Sequence, residues 1–205
     1  MKSIPPKKLG KVKIQPSNGL FADTGFSLLE LMIVLTITTL GVAIGVPSMS
    51  SWIERNKFRN ETSEIFRTIA LARTMASNRG IPISLCPLDT SNHCTDNWQG
   101  ELTLFEDSDQ SMSRDAGEAV IRLLKTRQSG DEATITRRFN RRVSILFRPI
   151  GNAFGHNGTF TICQQGRREL SATIIISSSG RIRLGKDDDN DGRVEDSNGN
   201  PVSCS

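Results

Sequence analysis

Residues 26–46 read FSLLELMIVLTITTLGVAIGV, an apolar run of 21 residues broken by one acid, Glu30. As a helix rising about 1.5 Å per residue, such a run covers about 30 Å, the hydrocarbon thickness of a bilayer. It exceeds the apolar region of roughly 7–15 residues in an ordinary secretory signal, and no convincing small-x-small cleavage site follows it. Five lysines (Lys2, Lys7, Lys8, Lys11, Lys13) and one aspartate (Asp23) precede it. The positive-inside tendency then keeps residues 1–25 cytoplasmic and places the C-terminal part outside. Those leader charges account for the whole formal net charge of +4, so the remaining chain is balanced. Any affinity for polyanions must therefore come from a local patch rather than from the summed field. A plain single-pass anchor is the simplest reading of the run. Glu30 argues against it, because a lone acid in hydrocarbon is costly and needs a partner such as a free α-amino group.

Beyond the run, residues 48–79 become amphipathic. Phe58, Thr62, Ile65, Ile69, Ala72 and Ala76 recur at steps of three or four and form one stripe, with charges elsewhere. Asn78-Arg79-Gly80 and then Pro82 end the helix. One helix with a kink at Pro47 is expected over 26–79. After Gly80, short runs rich in β-formers follow at 81–86, 98–105, 120–125, 134–139, 143–148, 159–163, 172–177 and 181–184, separated by Gly, Asn, Ser and Asp. Helix first and strands after gives an α+β fold, with an antiparallel sheet packed on the helix stripe.

Gly25-Phe26-Ser27-Leu28-Leu29-Glu30 resembles the prepilin peptidase site of type IV pilins and type II secretion pseudopilins. The resemblance implies cleavage after Gly25, N-methylation of Phe26, and a Glu30 that meets the amine of a neighbouring subunit. It implies a leader at 1–25, a pilin helix at 26–79 with 26–46 transmembrane, and an extracytoplasmic head at 80–205 ending in an acidic tail, 187–205. Pro47 also matches the proline that pilin helices carry near the end of the apolar segment. Further, RTIALARTMASNRG and the later TFTIC and ATIIISSSGRIRL are similar to the FimT/GspH branch of minor pilins and pseudopilins. The partners implied are other pilins, the prepilin peptidase and the inner membrane, with passage to the cell surface in a pilus.

The four cysteines, Cys86, Cys94, Cys163 and Cys204, fit two disulfides in an extracytoplasmic head. Three pairings are open. The preferred one closes the loop CPLDTSNHC with Cys86–Cys94 and pins the tail with Cys163–Cys204. There is no CxxC, and His93 and His156 lack ligand spacing.

Three surface features invite binding. In a strand, Arg181 and Arg183 of Gly180-Arg181-Ile182-Arg183 share one face while Ile182 turns inward, and paired guanidinium groups suit phosphates. Spacing alone favours an exposed edge strand protected by charge. The segment resembles the GRxR motif of FimT-type minor pilins, implicated in DNA binding during natural transformation. That resemblance falls on Gly180, Arg181 and Arg183; Lys186 is added for its charge. A second basic set comprises Arg137, Arg138, Arg141, Arg142 and Arg148, with Arg167 and Arg168 elsewhere. Third, residues 187–192 fit the D-x-D-x-D-G opening of a calcium loop through Asp187, Asp189 and Asp191. The twelfth position is Asn198 rather than Glu, with Glu195 or Asp196 as substitutes; a solvated acidic loop is the alternative. No Ser/His/Asp or Cys/His set and no Gly-rich phosphate cradle is present, so no enzymatic role is expected.

The functional expectation is a minor type IV pilin that helps build the fibre and captures DNA through Arg181 and Arg183. Purely structural priming of assembly and a type II secretion pseudopilin remain alternatives.

Overall fold

A computed structural model describes residues 25–125, 135–140 and 142–204. Helix α1 covers Leu28–Arg79. Eight strands follow: β1 Ile83–Pro87, β2 Leu102–Glu106, β3 Val120–Leu124, β4 Ile135–Phe139, β5 Ile145–Phe147, β6 Gly158–Gln164, β7 Arg167–Ile176 and β8 Ile182–Leu184. The chain divides into two compact units, Met1–Pro47 and Ser48–Ser205. Of the expected leader, 1–25, residues 1–24 lie outside the described residues. So do the side chains of residues 44–48, including the one expected at the kink.

In the first unit, every described side chain from Gly25 to Ala43 is exposed. Phe26, Leu28 and Leu29 are 84%, 76% and 67% accessible. Ser27 caps the helix, accepting from Leu29 N at its hydroxyl (3.2 Å) and from Leu31 N at its carbonyl (3.1 Å). Thr36, Thr38 and Thr39 return their hydroxyls to the carbonyls of Met32, Val34 and Leu35 one turn earlier. This satisfies groups that an apolar surrounding would otherwise leave bare. Among the described residues no helix is long and apolar enough to cross a membrane. The described side chains of the apolar run stop at Ala43, short of the residues that would extend it.

In the second unit the expected stripe is the buried face of the helix. Ile65, Ile69, Ala72 and Ala76 are fully buried, and Phe58 and Thr62 nearly so. Gly80 ends the helix in the left-handed region (φ 67°), with its amide on Ala76 O (3.0 Å). The strands form two antiparallel four-stranded sheets, ordered β3-β2-β1-β5 and β4-β6-β7-β8, rather than one. Both sheets feed one core with the helix: Ile83, Leu85, Leu104 and Phe147 from the first, Phe139, Phe160, Ile162 and Ile174 from the second. Trp98 stands edge-on to Phe139 and Phe160, 5.7 and 5.3 Å between ring centres, and its indole N–H donates to Arg142 O (2.8 Å).

The structure also lengthens one strand. β7 begins at Arg167, five residues before the expected run, because Gly166 (φ 78°) turns β6 straight back into it. β8 is the edge of the second sheet and pairs Ile174 with Leu184, Ile175 with Arg183 and Ile176 with Ile182.

Candidate functional site

The turn between β7 and β8 is fixed before any ligand is considered. Gly180 N donates to Ser177 O and Ser177 N to Arg181 O, both at 2.9 Å. Gly180 is buried at φ 82°, and a Cβ there would stand 1.8 Å from Gly151 O. Its glycine is therefore a packing requirement, since any side chain would drive the turn off the 151–153 segment. Arg181 N donates to Ser177 Oγ (3.0 Å), which sets the direction in which the strand leaves the turn.

From that turn Arg181 and Arg183 emerge exposed, while Ile182 packs against the core. Neither guanidinium has a hydrogen bond or ion pair among the described residues, and neither does the exposed Lys186 amine. Arg181 and Arg183 fall on one face of the edge strand, as the alternation predicts, and Lys186 follows beyond the end of β8.

The second basic set does not stay together. Arg137 is 5% exposed, and its guanidinium donates to Gln99 O (3.0 Å) and Gly100 O (3.2 Å). Burial also lowers its pKa, with Glu61 pulling the other way. Arg138 donates to Ser203 O (3.3 Å), Arg142 to Gly155 O, and Arg148 to Gln110 Oε1 (3.2 Å) and Phe154 O (3.0 Å). Arg167 pairs with Glu54 (2.8 Å). These arginines staple loops to the head. Arg141 and the side chain of Arg168 lie outside the described residues.

Both disulfides join Cys86 to Cys94 and Cys163 to Cys204. The second draws the tail back over the β4-β6-β7-β8 sheet. Gly185 N donates to Thr173 O (2.8 Å), Thr173 Oγ1 to Glu195 O (2.9 Å), and Ser197 N to Thr159 Oγ1 (3.3 Å). The tail thus lies on the side of the sheet to which Arg183 also points.

The acidic loop of the tail brings together Asp187, Asp189 and Glu195, each offering a carboxylate oxygen within 4.8 Å of the others. Asp191 lies outside that group. Its amide donates to Asp187 Oδ1 and Asp189 Oδ1 (both 3.1 Å), and its own Oδ1 accepts from Arg193 N (2.8 Å). Glu195 is 6% exposed and accepts from Asp188 N (3.0 Å). A second acidic group, Asp107, Asp109 and Glu118, carries no D-x-D-x-D-G opening to mark it in the sequence.

The histidines are separated. His93 is an exposed loop residue whose amide donates to Asp89 Oδ1 (2.9 Å). His156 is half-buried beside Ser144 Oγ (3.3 Å). Burial lowers its pKa, the Ser144 contact opposes this, and Arg142 and Arg148 lower it further.

Comparison with known proteins sets this head among relatives. The family described as "Type II transport protein GspH" matches residues 61–180. The match ends at Gly180, so Arg181, Arg183 and the acidic tail fall beyond it. A crystal structure of the type IV minor pilin FimU from Pseudomonas aeruginosa is 23% identical with a TM-score of 0.50, covering 65% of this chain and 91% of its own. That likeness supports a shared fold. Another crystal form of FimU is 21% identical with a TM-score of 0.47, covering 62% and 92% respectively. No curated protein matches the chain.

Proposed function

The chain belongs to the GspH family, and from that premise we propose that it is a minor subunit of a pilus-like fibre. In this reading the N-terminal helix holds it first in the inner membrane and then in the fibre, with the head in the periplasm and later at the surface. The observation that carries the reading is the helix surface over residues 28–43, exposed throughout and apolar on all sides apart from Glu30 and the threonines. Water does not sustain such a surface; lipid, or a wall of neighbouring pilin helices, does. Glu30 adds the specific element. Cleavage by the prepilin peptidase after Gly25 frees the amine of Phe26, and that cation on a neighbouring subunit partners the Glu30 carboxylate. Threonine hydroxyls already closed on backbone carbonyls support the same environment.

The test is Glu30→Ala in cells that assemble the fibre. The variant should stay in the inner-membrane fraction and disappear from sheared fibres. Wild-type recovery from the fibre contradicts the reading. Likeness to a type IV minor pilin favours a pilus, and the family description favours a type II secretion pseudopilus. Recovering the chain from sheared surface pili, against its loss on deleting secretion genes, separates them.

A second reading rests on Arg181 and Arg183, two exposed cations without partners on one edge. In it they grip DNA phosphates during uptake, with Lys186 beside them. Such contacts are largely independent of sequence and weaken steeply with salt. The acids of the neighbouring tail oppose the approach of phosphate. Retardation of duplex DNA by the full chain in detergent should be lost in Arg181→Ala with Arg183→Ala, and should fall between about 50 and 200 mM salt. Equal retardation by both proteins leaves a purely structural role in assembly.

A further inference from the structure

The loop joining β2 to β3 is closed by its own hairpin. Asp107 follows β2 directly, and its amide donates to Pro82 O (3.0 Å). Glu118 stands two residues before β3, and Glu106 N donates to Ala119 O (3.0 Å) just outside both. Antiparallel pairing therefore sets the first and last acids of the loop opposite each other, with no flanking helices required. A carboxylate oxygen from each of Asp107, Asp109 and Glu118 lies within 4.8 Å of the other two.

Counted from Asp107, the third, fifth, seventh, ninth and twelfth residues are Asp109, Ser111, Ser113, Asp115 and Glu118. Those are the places from which a twelve-residue calcium loop supplies its oxygens, the seventh through its carbonyl and the twelfth through a glutamate. The sixth place, where the sharp turn normally takes Gly, holds Met112. Met112 nevertheless adopts the left-handed φ of 59° that such a turn needs.

Asp107 adds an observation independent of spacing. It is fully buried, its Oδ2 accepts from Ser84 Oγ (2.5 Å), and its Oδ1 has no hydrogen-bond partner. Burial pushes its carboxyl above the usual range, Ser84 pulls it back, and the charge of Glu118 pushes it up again. The amides of Ser111 and Met112 favour the charged form without completing a bond to Oδ1. A buried carboxylate with one bare oxygen, set beside two further carboxylates, is relieved by a hard cation.

We propose that the β2–β3 loop binds a calcium ion through Asp107, Asp109 and Glu118, with Ser111, the Ser113 carbonyl and Asp115 completing its oxygen shell. The all-oxygen set and the absence of His and Cys from residues 107–118 suit calcium rather than zinc. The loop is also tied to the Cys86–Cys94 segment, through Cys94 N on Met112 O and Arg114 N on Asn92 O (both 2.8 Å). Binding therefore stiffens the disulfide loop together with the hairpin.

The test is calorimetric titration and thermal melting of the full chain in detergent, with calcium chloride or with EDTA. A Kd in the range of about 10⁻⁴–10⁻³ M is expected, as in extracellular modules. At ten times Kd the melting temperature should rise by about 3–6 °C. Asp109→Asn and Glu118→Gln should each abolish the rise, and Asp187→Asn with Asp189→Asn should leave it intact. No rise in the wild-type chain overturns the proposal. So does a rise that survives both loop variants, or one lost only in the tail variant.

Discussion

Two stretches of α1 are equally helical and meet opposite surroundings. Over residues 28–43 every side chain is exposed, and apolar groups point in all directions. Between Phe58 and Ala76 the apolar groups form one stripe, and the strands of the head cover it completely. An apolar stripe is satisfied within its own chain, whereas an apolar surface on every side is satisfied only by lipid or other chains. The sequence pattern therefore distinguishes the part that stabilises the head from the part whose apolar surface stays exposed.

The largest expected effect falls on the stripe. Ile69→Ala should cost the head about 2–5 kcal/mol, since the fully buried side chain leaves a cavity. Urea unfolding of the full chain in detergent measures this. Leu35→Ala, on the exposed stretch, should change the same midpoint by less than about 0.5 kcal/mol. Equal losses at both positions break the distinction.

The next effect sharpens the claim that the head holds itself together. In the loop-entropy account, removing Cys163–Cys204, which spans 41 residues, costs about 4 kcal/mol. Removing Cys86–Cys94, which spans 8, costs about 2.5 kcal/mol. Paired Cys→Ser variants compared by unfolding midpoint check the order.

The smallest effect concerns pH. The pKa of His156 lies below its ordinary value of 6.5 in the folded head, so the unfolded chain binds more protons in the window between the two. Stability is then full above 6.5 and declines as pH falls through that window. His156→Gln should flatten this part of the melting-temperature profile, while Glu30→Ala should leave it unchanged.

The helix stripe and the strand runs could be read because each depends on local periodicity. The start of β7 was hidden, because Arg167 and Arg168 look like surface charge until Gly166 turns the chain and β6 pairs with it. The division into two sheets depends on which distant strands meet, and no spacing records that. The basic residues show the same limit. Arg137 and Arg181 are alike in sequence, yet one is buried against Gln99 and Gly100 and the other is exposed. The acidic loops invert the lesson. The tail loop carries the conspicuous motif but brings Glu195 in place of Asp191. The loop at 107–118 has Ser at its fifth place and Met at its sixth, so the motif is inconspicuous although the spacing is complete. Its buried first acid became visible only through Ser84 and the hairpin.

The central claim is that the exposed stretch is a processed assembly element. Intact-mass spectrometry of the protein from cells with an active prepilin peptidase tests it most directly. The account predicts a chain that begins at Phe26 and carries one added methyl group. A chain retaining residues 1–25, or one cut at another position, contradicts it.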